Sequence, residues 1–239
     1  MENILITICA RGGSKGIPGK NIKELNGRPV IDYSIKHAAK FSKLYDNVDI
    51  ALSTDSQEII NVAEACGLKS FYKRPDFLAN DTIGKIDVLD HILKYEEERN
   101  KKTYDFLLDL DVSSPLRTIE DIQKAFGIFL KNKEALNIFS VSKPHKNPYF
   151  NVVELKEDGF CKLVKQSDSK SRQAAPLVYD MNASFYIYRK AFFDKNLKSA
   201  ITGKSLLFLM DHICFDIDEP IDFDMMEFLL SQNKLDFEI

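Results

Sequence analysis

The chain has 239 residues, 44% hydrophobic and 29% charged, with 33 Lys and Arg against 36 Asp and Glu for a formal net charge of −3. These totals suit a single globular domain and exclude intrinsic disorder, collagen-like repeats and low-complexity structure. They give no global electrostatic basis for nucleic-acid binding; no run approaches the roughly 20 apolar residues of a membrane span. The start Met-Glu-Asn-Ile lacks the basic region of a signal peptide, so a cytoplasmic protein is expected. The four cysteines and four histidines show neither disulfide nor metal-ligand spacing, and Cys9 and Cys214, set in apolar runs, read as buried small hydrophobes.

In chain order, residues 4–10 (ILITICA) form a continuous apolar run rich in β-branched side chains, which predicts a strand buried on both faces. Ile31, Ile35, Ala38 and Ala39 then recur at helical spacing and predict a helix over 30–43. A strand over 48–53 follows, then a helix with Asp55 as N-cap and Glu58 at N3, then a short strand over 69–73. Beyond it come a helix over 85–98, a strand over 104–110, a helix from Thr118 to about 131 and a strand over 137–142. Strand and helix alternating in this way predict a mainly parallel sheet covered on both faces. Residues 143–180 break the pattern with Pro144, Pro148, Pro176, a polar run and a hairpin around Asp158-Gly159. Strands at 184–188 and 212–217 and a helix over 220–232 complete the chain. The expected architecture is a single three-layer α/β/α, Rossmann-like domain with a mainly parallel mixed sheet and an arm inserted at 143–180.

Five of the ten glycines, Gly12, Gly13, Gly16, Gly19 and Gly27, fall between positions 12 and 27, directly after the first strand. Ligands of open α/β sheets bind at the carboxyl ends of strands, where glycine lets backbone N–H groups approach a phosphate. A Walker A loop is excluded because Ser14 and Asn21 stand where it needs Gly and a hydroxyl; no Gly-x-Gly occurs for a dinucleotide fingerprint. What remains is a loop, Gly12, Gly13 and Ser14 included, flanked by Arg11, Lys15 and Lys20, a charge suited to a triphosphate. An ordinary surface turn is the alternative.

Asp216 and Asp218 are one residue apart at the end of the last predicted strand, where side chains at i and i+2 share a face. Two converging carboxylates call for a cation, and an all-oxygen set favours Mg²⁺, with Mn²⁺ as a substitute. From the residues alone, a solvated strand end is the alternative.

The run ICARGGSKGIPGKNI closely resembles the first signature of the acylneuraminate cytidylyltransferases, the CMP-sialic acid synthetase family. RPDFLAND at 74–81, SSPLRT at 113–118, RQAAPLVYDMNASFYIY at 172–188 and FDIDEPIDF at 215–223 resemble its later motifs in the same order, so the likeness spans nearly the whole chain. The resemblance implies a nucleotidyltransferase joining CTP to a free nine-carbon 2-keto sugar acid, with pyrophosphate released and the product used for surface glycan or glycoprotein glycosylation. Within it, Arg11 and Lys20 hold the triphosphate, Asn21 binds the nucleotide, Arg74 contacts cytosine or ribose, and Asp216 and Asp218 hold Mg²⁺, one of them taking the proton of the attacking hydroxyl. Arg172 is placed to bind the acceptor's carboxylate, with Tyr179, Asn182 and Phe185 as pocket walls, and the 143–180 arm reaches across a homodimer.

The acceptor side departs from the sialic acid enzymes. Asp111 stands where they have Gln, so a group that only accepts replaces an amide that donates and accepts; Asn182-Ala-Ser-Phe replaces Asn-Gly-Ala, adding bulk near the same pocket. With KPHKNPYFNVVEL at 143–155, these features are most similar to the subgroup acting on legionaminic acid and related bacterial nonulosonic acids. Two other readings remain from sequence: a sugar-activating nucleotidyltransferase with a different NTP or acceptor, and a non-catalytic nucleotide-binding regulator.

Overall fold

A computed structural model describes residues 2–13, 16–80, 82–169 and 171–239. In chain order the elements are β1 (Ile4–Cys9), β2 (Glu24–Leu25), β3 (Arg28–Pro29), α1 (Val30–Ser42), β4 (Val48–Ser53), α2 (Gln57–Ala65), α3 (Lys85–Asn100), β5 (Phe106–Asp111), α4 (Ile119–Lys131) and β6 (Asn137–Ser142). β7 (Val153–Leu155), β8 (Cys161–Leu163), β9 (Asp180–Arg189), α5 (Lys190–Asp194), β10 (Ser205–Leu209) and α6 (Pro220–Ser231) follow.

The central six-stranded sheet has the order β10-β6-β9-β5-β1-β4. β1 runs parallel to both β4 and β5, and β10 parallel to β6, while β9 is antiparallel between β5 and β6. Side chains of β1 alternate between two cores. Ile4, Ile6 and Ile8 pack with residues of α1, α2, α4 and α6. Leu5 packs on the other face with Leu89, Ile92 and Leu93 of α3 and Phe192 and Phe193 of α5. This is the expected three-layer α/β/α architecture, and its strands are apolar on both sides because both sides are covered.

Local chemistry explains the element ends. Thr118 caps α4 in a capping box with Asp121. Asn26 and Gly27, both at positive φ, make the tight turn between β2 and β3, the conformation that favours Asn-Gly. The hairpin expected at Asp158-Gly159 is β7 paired antiparallel with β8.

Several expectations change. Residues 69–73 are not a strand, because they find no ladder partner. The last sheet strand is β10 rather than 212–217, which runs extended without pairing. The cap of α2 is Ser56, whose Oγ accepts from Ile59 N, and Asp55 is instead turned to the glycine loop. Ala183 lies at a bulge where the register between β6 and β9 shifts, with φ of +55°. Its effect is therefore backbone strain at a bend, not added bulk in a pocket.

Ala183→Gly should relieve that strain. The unfolding free energy is expected to rise by about 0.5–1 kcal/mol, the left-handed penalty of alanine less the entropy of glycine, read by urea denaturation. No change or a loss would mean that the bulge holds Ala183 by packing.

Candidate active site

In this sheet the chain passes from β1 to β4 on one side and then to β5 on the other, so the order reverses at β1. The crevice beyond the carboxyl ends of β1 and β5 is thus the topological switch point, where open α/β sheets bind ligands. A cleft of about 570 Å³ opens there, lined by Cys9 at the end of β1, Arg11, Gly16, Lys20 and Asn21 from the first loop, Arg74, Lys85, Asp111 and Ser113 from the middle of the chain, and Asp218 and Glu219 from near its end.

The first loop is held from three directions. Gly12 N donates to Asp55 Oδ1 at 2.9 Å, and buried Asn21 donates through Nδ2 to Arg11 O at 3.0 Å. Gly19, at φ +65°, turns the chain into the single turn that carries Lys20. Gly16 lies so near the Asp218 carbonyl oxygen that any Cβ would overlap it. Lys20 Nζ donates to Ile217 O and to Asp218 Oδ1, the latter at 3.2 Å. Ser14 and Lys15 lie outside the described residues, and Gly13 is exposed on the loop.

Arg74 is buried where β4 ends, donating through Nε and Nη2 to the hydroxyl and carbonyl of Ser53 at 3.0 and 2.8 Å. Asp111 is clamped. Lys85 Nζ reaches its Oδ2 at 2.6 Å, and Ser113 donates to Oδ1 through N and Oγ at 2.9 and 2.7 Å. Burial alone would raise its pKa, but Lys85 and Ser113 outweigh that and hold the carboxyl down at about 2. Lys85, also 2.7 Å from Asp109, is pulled down by burial and lifted well above the ordinary lysine range by the two aspartates. Behind them fully buried Arg117 donates to Ser184 O, Ser34 Oγ and Asp111 O, joining β9, α1 and the end of β5.

Asp216 and Asp218 flank Ile217, which is buried and donates its N–H to Ser113 O at 2.8 Å. The pair comes together on this extended segment, not on a strand. Asp218 is 72% exposed, whereas Asp216 Oδ1 is buried without a partner. Burial, then the charges of Asp111 and Asp218, push Asp216 up to about 6. An orphaned carboxylate oxygen beside a second carboxylate fits a divalent cation, with the remaining oxygens coming from phosphate and water. Among the described residues no group of three or more His, Cys, Asp or Glu side chains forms a ready-made cage.

The other acceptor-side expectations are not brought to this cleft. Phe185 is fully buried in the core against Phe208, because it alternates inward on β9. Asn182 is buried too, its amide consumed by Ser140 Oγ at 2.6 Å and Ser142 Oγ at 2.9 Å. Arg172 is exposed and donates to Pro144 O at 2.9 Å, and Tyr179 is exposed beside β9. Conversely, sequence reasoning missed Lys85, Ser113 and Glu219. Cys9, expected in the core, is half-buried on the cleft floor; burial and Asp109 push its thiol up to about 12, so it stays protonated.

Because Asp216 ionises at a higher pH folded than unfolded, its contribution to stability is present at low pH and lost as pH rises from about 4 to about 6. Asp216→Asn should therefore stabilise the ligand-free protein at pH 7 by about 1–3 kcal/mol and change little at pH 4, read by denaturant unfolding at both values. An equal effect at both would refute the assigned cause.

The profile of the Cytidylyltransferase family matches residues 5–238. The chain is 44% identical over 237 residues to the post-translational flagellin modification protein B of Campylobacter coli, covering 98% of each chain. It is 43% identical, again over 98% of each, to the CMP-N,N'-diacetyllegionaminic acid synthase of Campylobacter jejuni. Among solved structures, CMP:2-keto-3-deoxy-manno-octonic acid synthetase complexed with CTP superposes with a TM-score of 0.68 at 16% identity, covering 97% of this chain and 100% of that one, a likeness of fold. No helix among the described residues is long and apolar enough to cross a membrane. A glycine loop with its cations at the switch point, a carboxylate pair beside it and a family match along almost the whole length lead to one conclusion: this chain belongs to the cytidylyltransferase family.

Proposed function

We propose that the protein activates a free bacterial nonulosonic acid with CTP, giving the CMP-sugar and pyrophosphate. The observation that carries the reading is the convergence of Arg11, Lys20 and Asn21 with Asp218 on one cleft, beside Asp216. The anomeric hydroxyl of the acid attacks the α-phosphorus of CTP, a new P–O bond forms as the bond to the pyrophosphate oxygen breaks, and the hydroxyl proton passes to a carboxylate or to water. Arg11 and Lys20 neutralise the triphosphate, and the glycine backbone lets it lie close to the loop. Asn21 and Arg74 border the space for ribose and base. Asp216 and Asp218 would hold Mg²⁺, or Mn²⁺ in its place; when bound, that ion stabilises charge on the phosphate oxygens.

The two Campylobacter relatives support an acceptor of the legionaminic acid type and a product used in glycosylating surface proteins. A CTP-consuming step is placed in the cytoplasm, where CTP is made. The 143–180 arm supports a homodimer, since Leu155, Phe160 and Leu177 are 79%, 70% and 85% exposed, an arrangement that calls for a covering surface. In such a dimer Arg172, remote from its own cleft, would bind the acceptor's carboxylate in the partner's site.

Pyrophosphate release from CTP, Mg²⁺ and a panel of free nonulosonic acids tests the reaction. Turnover only with UTP, GTP or a sugar 1-phosphate would replace it with a different sugar-activating transfer. Asp218→Asn is expected to lower kcat by about 10²-fold or more while CTP still binds, and wild-type turnover would remove Asp218 from the site. Leu155→Glu with Phe160→Glu should yield a monomer in sedimentation at micromolar concentration; an unchanged oligomer would place the interface elsewhere.

A further inference from the structure

Residues of β5 alternate between the two cores, so Asp109 and Asp111 emerge together on the α3 side. Lys85, the first residue of α3, ends between them, 2.7 Å from Asp109 Oδ2 and 2.6 Å from Asp111 Oδ2, with its Nζ 5.1 Å from the centre of the Tyr186 ring. Asp109 is fully buried, and its Oδ1 accepts from the Thr7 hydroxyl at 2.8 Å. Asp111 Oδ1 accepts from Ser113 twice. The protein thus fixes both carboxylates and, through them, the ammonium.

An ammonium has three N–H donors; one goes to Asp111 Oδ2, while Asp109 Oδ2 pairs with the charge without accepting a hydrogen bond. The side chain is 34% exposed and lines the cleft with Asp111, so a donor remains for the cleft. The three charged groups sum to −1, which turns a substrate carboxylate away from this wall. A neutral group offering a carbonyl and an N–H side by side is matched, the carbonyl to Lys85 and the N–H to the spare lone pairs of Asp111. Ile83 and Val88, two residues before Lys85 and three after it, line the same cleft and give an apolar seat to a methyl group.

We infer that Lys85 is a specificity-determining residue that, with Asp111, recognises an acylamino substituent of the acceptor sugar. The inference rests on the reaction proposed above. The Gln of the sialic acid enzymes offers a donor and an acceptor in one side chain; here two residues share those roles, in a charged form that binds more strongly and tolerates an unfilled site less.

The test uses a nine-carbon 2-keto sugar acid carrying two acetamido groups and the two analogues in which one or the other is a hydroxyl. Pyrophosphate release is measured for each, and CTP affinity is measured by calorimetry without acceptor. Wild type should favour the diacetamido acid over one of the analogues by about 100-fold in kcat/KM, and Lys85→Met should reduce that preference to about threefold with CTP affinity within about threefold of wild type. Since Lys85→Met leaves Asp109 without its counter-charge, Lys85→Met/Asp109→Asn is measured beside it and should show the same loss of preference with a wild-type melting temperature. An equal loss with all three acceptors, a loss of CTP affinity, or a wild type without preference overturns the inference and leaves the reaction standing. No pyrophosphate from wild type with any of the acids overturns both.

Discussion

The contact between the loop after β1 and the segment before α6 is the constraint on which the site depends. Lys20 and Asp218 are separated by nearly the whole chain, yet the ammonium donates both to the Asp218 carboxylate and to the Ile217 carbonyl. Gly16 admits the Asp218 carbonyl where no side chain fits, and Asp222 accepts from both Asp218 N and Glu219 N, tying the segment to the first turn of α6. Ile217 N in turn bonds to Ser113 O beyond β5. Three loops remote in sequence therefore fix one another, and α6 packs on the core beside them through Phe223 and Met226. Through Lys20 the glycine loop and the carboxylate pair share one set of charges.

The cleft is also electrically divided. On one side Arg11 and Lys20 face the space at the end of β1, a field for phosphate. On the other, Asp109 and Asp111 obey the i, i+2 rule of a strand and converge, and Lys85 is the cation that makes their closeness tolerable. The acidic wall thus keeps anionic groups off the Asp111 side, and the cations gather them at the end of β1.

The fold was largely legible in the sequence: β1 is a continuous apolar run, β4, β5 and β6 are short runs with apolar residues between turn or helix signals, and α1, α3, α4 and α6 carry clear periodicity or caps. Three strand readings went wrong where pattern and pairing part. Residues 69–73 and 212–217 have the composition of strands but form no ladder, and 205–209, not expected as a strand, pairs with β6. That Arg11, Lys20 and Asn21 share one cleft was legible because glycines and cations cluster within one loop. That Lys85 joins Asp111 there was not, since it signals nothing by itself as the first residue of a helix, and only the β5–α3 packing sets it against Asp111. Asn182 and Phe185 mislead for the opposite reason: they lie in a motif, yet both are buried within β9.

The placement of costly groups follows the site. Arg117 is fully buried, its guanidinium lowered to about 10 by burial, and its donors go to carbonyls and a hydroxyl rather than to a carboxylate. Burying an arginine this way is expensive unless the geometry it enforces is needed, and what it enforces is the position of Asp111 against β9 and α1. Asp216 carries the reverse cost, a half-buried carboxylate with an oxygen left without a partner. A sequence selected for stability alone would replace both. Their presence within a few residues of the same cleft means the fold carries strain where charge must be received, and recovers it from the apolar cores on either face of the sheet.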